Sequence, residues 1–266
     1  MSRNQQKKET FDLVLDTAAR LTTQQGVLSI SIPAIAKEAG CSVATIYRHF
    51  PTKEDIALGL WNRFLIRYYI LPKIEIQSRN LPFECEVYAC YLCGIYKSLS
   101  SPDRSGVQFL PAMPTFFENG CHNLVLQSRH LLDTVAKLMI TPLTQKAVQN
   151  DSNQASSSIA LLNISTLALE RGLCLQLSNP LTRQKLQPLT FDNIFTIFQT
   201  HLVSLKLESC SADTVYQLLK DVDANINDDE VKDFFWQSYD SLFLENNLPA
   251  EHLSSKAKQL HSLSRL

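Results

Sequence analysis

Apolar positions recur along this chain with a helical period, and no convincing stretch alternates with a period of two. In ETFDLVLDTAARLTTQQG, the residues Phe11, Val14, Leu15, Ala18 and Leu21 share one stripe of a helix. Two shorter periodic segments follow in SIPAIAKEAGCSVATIYRHFPTKEDI, which runs from Ser31 to Ile56 with Gly40 between them. Ser31 suits the N-cap of the first segment, and Pro33 falls in a first turn where no N–H is needed. Ser42 suits the N-cap of the second. Gly26 and Gly40 supply stops, because glycine takes positive φ cheaply. Thr52 and Asp55 read as a variant capping box for a fourth helix through about Ile70. Further helical patterns cover about 82–99, 121–139, 155–177 and 191–207, and two or three more helices are expected in 212–265. The loops between them are rich in Pro, Gly, Ser or Asn, composition shifts near Pro72, and no internal repeat is found. The pattern predicts an all-α protein.

Helices as short as the pair around Gly40 are marginal alone, so they must be held by packing. The expected inward positions are Ile35, Ala36, Ala39, Val43, Ile46 and Phe50, with Ala36 and Ala39 small enough for a close crossing. Two short helices joined by a glycine turn form a helix-turn-helix, whose second helix enters the DNA major groove. The supporting helix is then about Ile32–Ala39 and the recognition helix about Val43–Phe50. On the outward side, Ser42 and Thr45 offer hydroxyls beside a positive helix end. Tyr47 can give a phenolic donor to a phosphate, and His49 and Lys53 can meet the next phosphates. Arg48 can take a phosphate or a guanine edge, whereas Val43 and Ala44 can only touch thymine methyls or exclude water.

The run IAKEAGCSVATIYRHFPTKEDI resembles the DNA-binding segment of the TetR family of bacterial transcriptional regulators. Ile-Ala, a glycine turn, a serine, then Thr-hydrophobe-Tyr-x-His-Phe and a Lys-Glu pair stand at the family's spacing over about residues 8–65. The resemblance implies a three-helix DNA-binding domain joined by a linking helix to a larger helical ligand-binding and dimerisation domain. It carries DNA contact over to Thr45, Tyr47, His49 and Lys53 by motif, and to Ser31, Val43, Ala44 and Arg48 by position. It further implies a homodimer on a palindromic operator, acting as a repressor and released by a small, largely apolar effector. The expected divisions are 1–54 for the helix-turn-helix domain, 55–208 for the ligand-binding and dimerisation body, and 209–266 for additional helices packed on that body. The dimer face is expected to draw on Leu162, Leu167 and Leu169 of one helix and Ile197, Phe198 and Leu202 of another. An effector pocket is expected among Tyr88, Tyr91, Phe109, Met113, Phe116 and Phe117, a largely apolar set with polar handles.

Composition changes this picture little. The 266 residues carry a formal charge of −1, divided into +3 over residues 1–68 and −4 beyond them, which suits a local polyanion site. Seven cysteines in no paired framework, after a polar start, point to reduced thiols and a cytoplasmic protein. No apolar run is long enough to cross a bilayer. Cys90 and Cys93 form a lone CxxC without a second half, so no metal is expected. DVDANINDDEVK has calcium-loop spacing but lacks the glycine and the final glutamate, at Ile226 and Lys232. A last amphipathic stretch places Leu253, Ala257, Leu260 and Leu263 on one face, as a docking helix would. No nucleophile elbow, phosphate loop or metal-ligand helix motif is present, so neither enzyme nor cofactor is expected. The alternative to an effector-responsive regulator is an interaction protein whose body binds a partner protein.

Overall fold

The computed structural model describes residues 2–27, 31–100, 102–113, 115–149, 155–185, 189–204 and 207–243. These form helices and their connections; no strand occurs among them. The proposed docking face of Leu253, Ala257, Leu260 and Leu263 lies outside the described residues. The helices are α1 (Arg3–Gln25), α2 (Ile32–Glu38), α3 (Val43–His49), α4 (Lys53–Leu65), α5 (Leu71–Gln77), α6 (Phe83–Ser100), α7 (His122–Gln149), α8 (Ala155–Ser178), α9 (Pro180–Lys185), α10 (Phe191–Ser204), α11 (Ala212–Asn225) and α12 (Asp228–Phe243). A π-helical turn, Ile66–Ile70, follows α4, and a 3-10 stretch, Pro102–Ala112, follows α6. The chain divides into two compact units. Among the described residues, the first holds those within 2–64, 103–131 and 232–243, and the second those within 65–102 and 132–231.

In the first unit the expected stripe of α1 is buried throughout: Phe11, Val14, Leu15, Ala18 and Leu21. Gly26 ends α1 at φ 81° and Gly40 ends the α2 turn at φ 66°. The Cys41 N–H then reaches the Ala36 carbonyl at 3.0 Å, closing that turn. Ser31 accepts from the Ala34 N–H and Ser42 from the Thr45 N–H, so both expected caps form. The Asp55 carboxylate is fully buried; it accepts from the Thr52 N–H and hydroxyl at 2.9 Å each, and from the Cys121 N–H at 2.5 Å. Of the expected inward positions, Ala39 is only half-buried and Val43 departs outright. Val43 is 38% exposed rather than inward, because it opens α3 a turn before Ile46, the first α3 side chain that the core covers.

A buried polar network joins α4, α7 and α12 of this unit. The Asn62 amide donates to Gln127 Oε1 at 3.0 Å and to the Leu124 carbonyl. Gln127 Nε2 donates to the Phe235 carbonyl and to Ser238 Oγ, both at 2.8 Å. Every member has a partner, which is the condition under which buried polar groups fix one arrangement.

In the second unit, Pro72 explains the π-helical turn. It has no N–H for the Tyr68 carbonyl, and the Cys93 thiol donates to that oxygen at 3.5 Å. α6 is buried along most of its length, with Tyr88 stacked on Phe195 at 5.2 Å and the Tyr91 hydroxyl donating to Asn163 Oδ1 at 3.1 Å. α6 lies close to the Glu170 side chain of α8 at Gly94, where an added Cβ would stand 2.4 Å from Glu170 Oε1. Lys97 pairs with Asp223 at 2.9 Å, tying α11 to α6. Among the described residues no helix is long and apolar enough to cross a membrane.

Ile46 has no exposed surface, so Ile46→Ala should cost the first unit about 2–5 kcal/mol. Val43→Ala should cost no more than about 0.5 kcal/mol, as expected for a surface position. Urea denaturation of the two variants measures the difference.

Candidate nucleic-acid interface

The side chains that face solvent around α3 follow from what its inner face buries. Ile46 and Phe50 are fully buried, and the Phe50 ring lies 4.3 Å from that of Phe11. With those positions turned in, Val43, Ala44, Tyr47 and Arg48 are turned out, and Tyr47 is 50% exposed. Ser42 and Thr45 sit at the start of α3 with hydroxyl oxygens 2.8 Å apart, so one can hold the other in place for an acceptor. Arg48 makes no ion pair among the described residues. Lys53, at the start of α4, has 76% of its side chain exposed and stands 4.0 Å from Glu54. Ser31 is exposed at the start of α2.

His49 is half-buried, and its pKa is held below the usual histidine value. Burial is the main cause, followed by the positive charges of Arg48 and Lys7. A phosphate brought near would oppose these effects and favour the protonated imidazole.

The nine positions expected to meet DNA, Ser31, Ser42, Val43, Ala44, Thr45, Tyr47, Arg48, His49 and Lys53, thus all lie in the first unit at least partly open to solvent. Those expected to line an effector pocket do not share a unit. Tyr88 and Tyr91 are buried on α6 in the second, whereas Phe109, Met113, Phe116 and Phe117 fall in the first, with Met113 41% exposed. A cleft in the second unit, lined by Tyr68, Cys93, Tyr96 and Lys97, offers about 10 Å³, room for one water. Among the residues expected at a dimer face, Leu162, Phe198 and Leu202 are buried within the chain itself, while Ile197 is 39% exposed. The outward stripe on α8 instead holds Leu161, Ile164 and Leu175, which are 61%, 66% and 51% exposed. Its signal was Leu161, Ile164 and Ala168 at helical spacing beside a second apolar face. Cys90 and Cys93 are buried thiols whose pKa values burial raises. Among the described residues no three His, Cys, Asp or Glu side chains group as metal ligands would.

The family profile described as bacterial regulatory proteins, tetR family, matches residues 14–60. The HTH-type transcriptional regulator AcrR of Shigella flexneri is 46% identical over 57 residues, which are 21% of this chain and 26% of that protein. An uncharacterized HTH-type transcriptional regulator of Mycobacterium tuberculosis is 54% identical over 52 residues, 20% of this chain and 26% of that protein. The chain therefore spans about a quarter of the length of these curated relatives, both named as transcriptional regulators. A crystal structure of RolR with the ligand resorcinol covers 82% of this chain and 96% of its own, with a TM-score of 0.50 and 15% identity. At that identity the likeness is one of fold.

Proton linkage gives a test of His49. If a phosphate raises its pKa, binding takes up a proton, so DNA affinity should rise as pH falls from about 7.5 to about 6. His49→Gln should flatten that dependence, read by fluorescence anisotropy with a labelled duplex at constant ionic strength.

Proposed function

We propose that this chain is a member of the tetR family of bacterial regulatory proteins, whose profile matches residues 14–60, and a sequence-specific transcriptional regulator of the cytoplasm. In this reading it binds a palindromic operator as a homodimer, represses, and lets go when a small, largely apolar effector binds. The observation that carries the reading is the outward face of α3, with Tyr47 and Arg48 exposed beside the paired hydroxyls of Ser42 and Thr45. Residues 1–54 would read the duplex, and residues 55–208 would carry the dimer and effector roles.

The homodimer is supported by the apolar stripe of Leu161, Ile164 and Leu175 on α8 and of Ile197 and Val203 on α10, all exposed on one chain. An added Cβ at Gly172, within the same α8 stripe, would meet nothing within 4 Å. Two copies meeting through these helices would bury that surface and present two recognition helices to half-sites about 34–36 Å apart. The effector role is supported by a buried polar atom without a partner in the second unit, the Tyr88 hydroxyl. Buried hydroxyls are usually paired, and a bound effector would pair this one. The likeness in fold to RolR, solved with resorcinol, agrees with an effector of small aromatic type.

Selection of bound duplexes from random DNA tests the reading: an enriched palindrome supports it, and no enrichment at low salt defeats it. On the enriched duplex, Lys53→Ala should lower the slope of log affinity against log salt by about 0.9. Tyr47→Phe should weaken binding to all duplexes alike. Ile164→Asp should convert a dimer to a monomer in sedimentation; a wild-type monomer on DNA would instead point the stripe at a partner protein.

A further inference from the structure

The helix α12 begins more than 160 residues beyond the family match, yet from Lys232 onward it belongs to the first unit. Its contacts there are built around two carboxylates of α1. Trp236 Nε1 lies 3.0 Å from both carboxylate oxygens of Asp12. Arg63 of α4 donates to that same carboxylate and, at 2.7 Å, to Asp16. Lys232 pairs with the other Asp16 oxygen at 2.8 Å. One turn back on α1, Lys8 pairs with Asp240 at 2.5 Å and stands 4.8 Å over the Trp236 ring. Beneath these polar ties runs a line of rings. The Phe11 ring has Phe50 at 4.3 Å, Trp236 at 5.0 Å and Phe235 at 5.7 Å between centroids, so it is shared between α3 and α12. Phe50 is the residue that ends the recognition helix. The buried amide of Gln127 holds the α12 backbone from behind, at the Phe235 carbonyl.

We infer that α12 is part of the DNA reader, and that Trp236 and Lys232 are positioning residues for it, setting the place of α3 through α1, Phe11 and Phe50. Neither residue need meet DNA. The Trp236 ring packed against Phe11 limits where Phe11, and with it the Phe50 ring, can rest, and α3 has only seven residues with which to resist a shift. Phosphate contacts made by long, mobile side chains tolerate a small displacement of α3. Contacts to base edges do not, since they depend on direction as well as distance. Loosening α12 therefore costs discrimination before it costs general affinity. A helix that served stability alone would lower binding to every duplex in the same proportion, as the folded fraction falls.

This inference rests on the regulator reading above. The test uses the full chain, with Trp236→Ala and Trp236→Phe compared with wild type on the selected duplex and on a scrambled one of equal length. Active fractions are fixed by titration. Trp236→Ala should raise Kd for the selected duplex about tenfold, the scale of one mismatched base pair. On the scrambled duplex the change should stay under about twofold, with an unchanged salt slope, because no phosphate contact is lost. Trp236→Phe keeps a ring against Phe11 and loses the donor to Asp12, so it should fall between. Equal weakening on both duplexes, or none on either, overturns the inference and leaves the regulator reading intact. If Trp236→Ala does not fold, Trp236→Phe and Lys232→Met decide by the same ratio, and an unchanged ratio overturns it. A wild-type chain that selects no duplex at all overturns both.

Discussion

Phe50 ends α3 with its ring fully buried and 4.3 Å from that of Phe11, while Ile46 is buried one turn earlier. An isolated helix of seven residues would not persist in water. Burying these two side chains contributes about 1.5–3 kcal/mol each, enough to hold such a helix in place. Because the inner face is fixed, the outer face is fixed with it. Tyr47 follows Ile46 by one residue and cannot turn inward unless Ile46 turns out. The chemistry offered to solvent by Ser42, Thr45, Tyr47 and Arg48 is therefore a consequence of what lies beneath them.

The second unit depends on a different constraint. Lys73 and Glu170 are 2% and 3% exposed, deep in a helical body. Burial pushes the Glu170 carboxyl above the usual carboxylate range, opposed by the Lys73 and Arg171 charges and a hydrogen bond from Tyr69. Burial also works against the Lys73 ammonium, but the Cys93 sulfur at 3.4 Å and the Glu170 charge outweigh it, and its pKa ends above the usual value. Burying ionisable groups costs stability unless each is paired. A body built only to pack would do better with apolar residues there. That reasoning, together with the unpartnered Tyr88 hydroxyl, is what supports the effector role proposed for this unit.

Local signals were legible in the sequence and distant ones were not. Caps, glycine stops and the stripe of α1 each involve residues within a few positions of one another, and Ser31, Ser42, Gly26 and Gly40 take the roles their chemistry suggests. The period that groups Val43 with Ile46 and Phe50 ignores where the neighbouring helices end, so it could not reveal that Val43 protrudes. On α8, apolar residues occupy two faces, and periodicity cannot tell which faces the chain's own core. Leu162 is buried and Leu161 and Ile164 are not, a distinction that comes from the packed neighbours. The bond from Trp236 to Asp12 spans 224 residues, and no spacing rule reaches that far.

These points bear together on how a duplex would be told from its neighbours. The first turn of α3 offers Val43 and Ala44, which can touch a thymine methyl but can make no bidentate bond to a base. Arg48 is then the main outward side chain on α3 able to read a guanine edge with two hydrogen bonds. Discrimination spread over so few direct contacts must lean on fit: the depth and tilt at which α3 meets the groove, and the DNA shapes that accept it. Fit is a property of backbone placement, and here placement passes from α3 through Phe50 and Phe11 to Trp236. A reader with many base-directed side chains can absorb a small shift by rearranging them. On the proposed reading this one has few to rearrange, so the rings behind α3 would carry part of the task that side chains in the groove would otherwise perform.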